Sequence, residues 1–202
     1  MTLWVGAAPL VLASQSRSRQ ALLAAAGVPF ETIPADIDER GIQAASGLKD
    51  PAAIAALLAK SKAMHVAASH AGRVVVGADQ TLALGERMFS KPAGRTQAAN
   101  QLRELSGRTH ALHSAIAVVR DAKILFEHVA VARLTMRTLS DEGIERYLDA
   151  AGKAVTTSVG AYQLEGLGVH LFERIDGDHF TILGLPLLPL LGSLRQHGLV
   201  AG

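Results

Sequence analysis

The chain has 202 residues, 49% of them hydrophobic, with 20 basic against 18 acidic side chains and a sequence pI near 9.2. Length and apolar content predict one domain over residues 1–202 with a substantial core. The even charge balance, with aromatics at 4% and no long Lys/Arg run, argues against a nucleic-acid surface; the absence of cysteine excludes disulfides, thiolate catalysis and cysteine-ligated zinc. The first residues carry no charged leader region, so a signal peptide is not expected. The longest apolar run, 182–191, is interrupted by Gly184, Pro186 and Pro189 and is too short to span a membrane. A soluble cytoplasmic protein is the simplest expectation.

Residues 9–13 read as a first strand. The polar turn Ser14-Gln15-Ser16-Arg17-Ser18-Arg19 follows, then a helix through Leu22, Leu23 and Ala26 that Gly27 stops. Ser16 is placed to cap that helix, because its hydroxyl can satisfy an orphan amide of the first turn. Two arginines at a helix N-terminus run against the dipole preference for acids there. They fit an anion, since first-turn amides and guanidinium forks both grip phosphate.

Residues 28–33 read as a second strand, and Asp36, Asp38 and Glu39 form an acidic loop. That loop is either simply solvated or a donor of a carboxylate to a hard cation such as magnesium. Asp50-Pro51 starts a helix, with Asp as N-cap and Pro at the first helical position. Ile54, Leu57, Leu58 and Met64 stripe it to about His70, with Lys60 and Lys62 near its middle.

The centre of the chain is Val74-Val75-Val76-Gly77-Ala78-Asp79. Three valines predict a buried strand, ending in Gly77-Ala78 with Asp79 directly after it. A carboxylate there is costly to desolvate unless it faces a cleft, a metal or a partner. Strand ends of this kind also line the ligand crevices of open α/β sheets. By itself, Asp79 could equally cap a turn. Residues 81–84 and 88–89 predict a hairpin through Gly85-Glu86, and Pro92 holds Lys91 extended as a loop lysine able to meet a phosphate. Thr96 is the expected cap of a helix carrying Ala98, Leu102 and Leu105.

Residues 109–119 and 123–137 predict a long hairpin turning at Asp121-Ala122. His110 and His113 fall on opposite faces of the first of these strands, which argues against a shared metal; His110 reads as polar lining and His113 as structural. Ser140 caps a helix bearing Ile144, Tyr147 and Leu148. Residues 153–168 have few apolar anchors, and Gly160, Gly166 and Gly168 would let backbone approach a ligand. Residues 169–172 and 179–183 read as two further strands, and Pro186 opens a final helix. Strands and helices mix without regular alternation. The expected class is therefore α/β with a mixed sheet.

The set Ser14-x-Ser16-x-x-Arg19, Asp38-Glu39, Lys62-Ala63, Gly77-Ala-Asp79-Gln80, Lys91-Pro92, Ser106-Gly-Arg-Thr-His110, Gly160-x-Tyr-x-x-Glu165-Gly and Gly184-Leu-Pro186 occurs in one order. In this register the chain closely resembles the Maf family of nucleoside triphosphate pyrophosphatases over nearly its whole length. The resemblance implies hydrolysis between the α- and β-phosphates to monophosphate and pyrophosphate, with a divalent cation (Mg2+ or Mn2+), usually in a homodimer. It implies an elongated mixed β-sheet flanked by helices, with two lobes around a central cleft, related to the inosine-triphosphate pyrophosphatases. Carried over residue by residue, Asp79 is the expected catalytic base. Ser14, Arg19, Lys62 and Lys91 are the expected phosphate-site residues, and Glu39 an acidic residue that shares a metal with Asp79.

Base preference divides the family. The dTTP/UTP branch typically has Asp-Thr at the central motif, a Gln late in the glycine loop and Pro-Arg-Arg in the first turn. Gln80 and Glu165 here resemble the 7-methyl-GTP branch instead, and a Glu suits a guanine edge and a cationic methylated purine. Arg17 stands where Pro is usual. Ser18 stands where one branch has Arg and the other often a large aromatic, so a stacking surface is missing. Ser18, Gln80 and Glu165 are the expected specificity residues. The competing expectations are a dTTP/UTP pyrophosphatase and a nucleotide-binding regulator of septum formation without turnover.

Overall fold

A computed structural model describes residues 3–202; Met1 and Thr2, part of the stretch read above for a leader, lie outside them. Among the described residues the chain forms a seven-stranded mixed sheet with seven α-helices. Strand β1 (Leu10–Ala13) runs parallel to β2 (Phe30–Thr32) on one side and to β3 (Val75–Leu84) on the other. Beyond β3 the sheet turns antiparallel through β5 (Thr109–Arg120), β6 (Lys123–Met136) and β7 (Phe172–Asp176), while β4 (Arg87–Phe89) folds back on the end of β3. The β5–β6 turn is made by Asp121 and Ala122, both at positive φ, which is the backbone twist a two-residue hairpin needs.

Alternation along β3 sorts the helices. Val75 packs with Val11, Ala115 and Ala117 against Ala55, Ala59 and Ala63 of α3 (Pro51–Ala67). On the opposite face Val76 and Ala78 join Leu10, Leu12 and Leu23 with Leu190 and Leu194, under α1 (Arg17–Ala25) and α7 (Leu187–Gln196). Further along that face Leu82 joins Leu102, Leu105, Leu134, Ile144 and Leu148, under α4 (Arg95–Leu105) and α5 (Asp141–Ala151). Two apolar clusters thus lie end to end on one face, and these are the two lobes. Helix α3 alone packs its cluster on the other.

Several local expectations hold. Ser16, Asp50 and Ser140 accept hydrogen bonds from first-turn amides of α1, α3 and α5. Others are corrected. The central strand does not stop at Gly77-Ala78, because β5 pairs with it residue by residue through Ala83, so Asp79 is a mid-strand residue. Of the acidic loop, Asp36 and Asp38 lie outside regular structure as expected, but Glu39 opens a helix, α2 (Glu39–Ser46), which Asp38 caps. Gly94, not Thr96, precedes α4, and Thr96 is inside it. Residues 167–171 form a 3-10 turn, and β7 begins only at Phe172. The expected strand at 179–183 is a short helix, α6 (His179–Ile182), because Asp178 caps the Thr181 amide and so closes a helical turn. No helix among the described residues is long and apolar enough to cross a membrane.

Candidate active site

Strand β3 is longer than its neighbours on one edge. β1 covers that edge only as far as Gly77, and β4 takes it up only from Leu82. Residues 78–81 therefore have a strand neighbour on the β5 side alone. A break in a sheet edge leaves backbone and both side-chain directions open to other groups. Asp79 points to the α3 face from this stretch and Gln80 to the lobe face.

Arg19 closes the lobe side of the break. It is buried. Its Nη1 donates to Ser14 Oγ at 2.9 Å and to the Ala78 carbonyl at 2.8 Å, and its Nε donates to the Gly184 carbonyl at 2.7 Å. The guanidinium thus joins the end of β1, the exposed edge of β3 and the α6–α7 turn. Gly184 sits at φ +86°, and a Cβ there would stand 3.3 Å from Arg19 Nε, so glycine answers both the turn and the close approach. Burial pulls the Arg19 pKa below its ordinary value, opposed by the charges of Asp79 and then Glu39. Nη2 is the donor left over for an anion. Arg17, by contrast, lies exposed at the helix start and makes no side-chain hydrogen bond or ion pair among the described residues.

On the α3 face, Lys62 Nζ donates to Asp79 Oδ1 at 2.6 Å and meets Glu39 Oε1 at 2.9 Å. The position of Lys62 follows from Gly77. A Cβ on Gly77 would stand 2.7 Å from the Ala63 nitrogen and 2.9 Å from the Ala63 Cβ, so α3 lies directly on the strand at this point. The next residue facing that side is Asp79, and Lys62 is adjacent to Ala63. Burial raises the Asp79 pKa above the ordinary carboxylate value, against the opposing charges of Lys62 and Arg19 and the hydrogen bond from Lys62; Glu39 adds to the rise. A raised pKa makes this carboxylate a better base than a free aspartate near neutral pH.

Gln80 has a tightly defined setting. Its Nε2 donates to Ser114 Oγ at 2.7 Å and faces the carbonyls of Thr181 and Ile182, each at 3.1 Å. Ser114 donates its own proton to the Thr181 carbonyl at 2.7 Å. Three acceptors around one amide nitrogen fix which way the amide faces. Any partner of Gln80 beyond these meets its carbonyl oxygen. Ser18 Oγ donates to Glu165 Oε1 at 2.7 Å, a bond from α1 to the glycine-rich loop that spans the two lobes. That loop is braced from behind by His110 Nε2 and the Tyr162 hydroxyl, 2.7 Å apart and buried.

Seven of the expected site residues therefore come together in contacting sets around the break: Ser14 with Arg19, Lys62 with Asp79 and Glu39, and Ser18 with Glu165. Gln80 follows Asp79 on the strand. Lys91 is exposed on the loop after β4 and makes no hydrogen bond or ion pair among the described residues. Sequence reasoning missed the Ser114–Thr181 pair that orients Gln80, for which no local signal exists. It also missed the packing role of Gly77, whose signal was a glycine inside a valine-rich strand.

Among the described residues no group of three or more His, Asp or Glu side chains is arranged to hold a metal ion. Two carboxylate oxygens do converge on one cationic head. That donor set fits a hard divalent cation that keeps waters and takes its remaining ligands from a substrate's phosphates, and not one caged by protein alone.

The family model for Maf-like proteins matches residues 9–197. A nucleoside triphosphate pyrophosphatase of Rhodopseudomonas palustris is 68% identical over 201 residues, covering 100% of both chains. A protein of the same name from Bradyrhizobium diazoefficiens is 66% identical over the same length. A 7-methyl-GTP pyrophosphatase of Rhizobium etli is 53% identical over 196 residues, covering 96% of this chain and 98% of that protein. With the family model spanning almost the whole chain and relatives aligned end to end, the chain belongs to the Maf family.

Proposed function

We propose that this chain hydrolyses a nucleoside triphosphate between the α- and β-phosphates, releasing nucleoside monophosphate and pyrophosphate. The observation that carries the reading is the break in the β3 edge. There a buried carboxylate of raised pKa, a buried arginine and a lysine meet at the end of a strand–turn–helix anion site. The names of the full-length relatives support the same reaction.

In this reading water attacks the α-phosphorus and Asp79 accepts its proton. The bond from that phosphorus to the bridging oxygen breaks, and the electron pair leaves with pyrophosphate. Arg19 Nη2, Lys62 and Lys91 stabilise the charge that grows on the leaving group, and Ser14 holds the end of β1 and Arg19 in place. Asp79 and Glu39 would hold a Mg2+ or Mn2+ ion, whose chemistry when bound is to neutralise phosphate charge and acidify water. Ser18, Gln80 and Glu165 read the base. Gln80 offers an acceptor, and Glu165, held by Ser18 through one oxygen, offers another. Two acceptors suit the donor-rich edge of a guanine, and the Glu165 charge suits a cationic 7-methylguanine. The relative from Rhizobium etli supports 7-methyl-GTP as the substrate. The reading includes a cytoplasmic homodimer acting on free nucleotides, not on nucleic acid.

The test is pyrophosphate release across normal and modified nucleotides, including 7-methyl-GTP, dTTP and UTP. The expected result is a preference for 7-methyl-GTP and near-complete loss in Asp79→Asn. A strong preference for dTTP and UTP would overturn the base assignment. Nucleotide binding with no release from any member of the panel would replace the enzyme by a regulator.

A further inference from the structure

The two carboxylates assigned above to a divalent cation already share a cation of their own. Lys62 Nζ is held between Asp79 Oδ1 at 2.6 Å and Glu39 Oε1 at 2.9 Å. Among the described residues these are the only partners of the Lys62 side chain. The two carboxylates differ in how firmly they are placed. Asp79 is on a buried strand paired on its β5 side through Ala83. Glu39 opens α2, a helix with no buried residue, and among the described residues its bond to Lys62 is the one ion pair that α2 makes.

From this geometry we propose that Lys62 is an exchangeable counter-cation. It holds Asp79 and Glu39 together in the empty protein, gives way when a divalent cation takes that position, and passes to the phosphates of the substrate. The inference rests on the pyrophosphatase reading and adds an order of events to it. An ammonium and a doubly charged ion repel strongly at contact range in a partly buried site, so both do not sit between the same two oxygens. Lysine suits the exchange, having a compact charge on a flexible four-carbon stem with three rotatable donors. A displaced Lys62 loses both of its acceptors at once, and a triphosphate supplies new ones. Cation and triphosphate then assist each other's binding, and by linkage the assistance is mutual. The weakly anchored α2 lets Glu39 adjust to either cation.

The test is a Mn2+ titration of the full-length protein at pH 8, without nucleotide, following the electron paramagnetic resonance of free Mn2+. Wild type, Lys62→Met, Lys62→Arg and the double variant Lys62→Met/Asp79→Asn are compared, with circular dichroism to confirm folding. Removal of the competing charge tightens Mn2+ binding by about tenfold or more in Lys62→Met. Lys62→Arg keeps the competing charge and stays near wild type, and the added Asp79→Asn change abolishes the gain. Should Lys62→Met not fold, Lys62→Gln carries the same comparison. Equal or weaker Mn2+ binding once the charge is removed overturns the exchange. An active wild type with that outcome keeps the pyrophosphatase reading and discards the exchange alone. A wild type that releases no pyrophosphate from any nucleotide, beside a tightened Lys62→Met, does the reverse.

Discussion

Gly77→Ala is the smallest change that should disturb the site without touching a charged group. The methyl it adds would stand 2.7 Å from the Ala63 nitrogen and 2.9 Å from the Ala63 Cβ, against helix backbone that cannot rotate away. Overpacking a tight core costs about 1–3 kcal/mol, and a backbone obstacle belongs at the upper end, about 3 kcal/mol. For a domain of this length that corresponds to a fall in Tm of about 6–12 °C. The functional effect should exceed the share of protein unfolded at the assay temperature. To relieve the clash α3 must lift from β3, which draws Lys62 away from the site around Asp79. Misplacing a reacting group by about 1 Å can cost about a hundredfold in rate, so kcat should drop by about tenfold to a hundredfold in protein that is still folded. The assay is thermal unfolding followed by circular dichroism, with pyrophosphate release measured well below the transition. Gly192→Ala is the matched control. It lies in α7 with nothing within 4 Å of its added Cβ, so it should leave the rate alone and raise stability by about 0.5–1 kcal/mol. A Gly77→Ala protein that melts within about 2 °C of wild type, a shift of 1 kcal/mol or less, and keeps its rate would refute the argument that strand–helix contact sets the Asp79–Lys62 pair.

Arg19→Met and Lys91→Met should separate stability from chemistry. The first leaves the carbonyls of Ala78 and Gly184 without the guanidinium donor, while Ser14 Oγ keeps the Ser16 amide at 3.3 Å; each buried orphan costs about 1–3 kcal/mol, so both Tm and activity should fall. The second removes an exposed charge with no partner among the described residues, so Tm should stay within the effect of about 0.5 kcal/mol while kcat/KM falls. A large Tm loss in Lys91→Met, or none in Arg19→Met, would reverse these assignments. His110 should govern part of the acid stability. Burial lowers its pKa from 6.5 to about 4 in the folded chain, so between those values the unfolded chain binds the extra proton. Stability from the neutral ring is thus fully present above about pH 6.5 and is lost by about 3 kcal/mol as pH falls to about 4. Replacement by Gln, which keeps a polar partner for Tyr162 but does not titrate, should flatten the fall of Tm across that window; an unchanged slope would exclude His110 as its source.

Local signals in the sequence predicted the local elements well. Ser16, Asp50-Pro51 and Ser140 mark helix starts because a cap acts within its own turn. Asp121-Ala122 marks a hairpin because two long alternating strands flank it. What depended on distant pairing was not legible. Gly77 and Asp79 look like terminators, yet β5 carries the strand past them. The stretch His179-Phe-Thr-Ile has aromatic and β-branched residues suited to a strand, but the Asp178 cap and the demands of Gln80 on the Thr181 and Ile182 carbonyls favour a helical turn. At the site, Asp79 and Arg19 could be suspected from their places after a strand and at a helix start. Lys62 could not be read from pattern, only from the family resemblance, because a lysine in mid-helix is usually solvated and the packing of Ala63 on Gly77 is what turns it inward.

The alternation of β3 has an evolutionary consequence. Asp79 and Gln80 are consecutive in the chain but emerge on opposite faces of one strand, towards different partners: Lys62 and Glu39 on one side, Ser114 and α6 on the other. A mutation at position 80 is therefore separated by the sheet from Lys62 and Glu39, although it is one peptide bond away from Asp79; of the groups proposed to handle phosphate, Arg19 shares the lobe face with it. Lineages could exchange the residue that meets the base, together with its partners on the lobe face, without retuning the carboxylate. The same backbone segment would then be the most constrained and the most adaptable part of the fold, depending on which side of the sheet selection is acting.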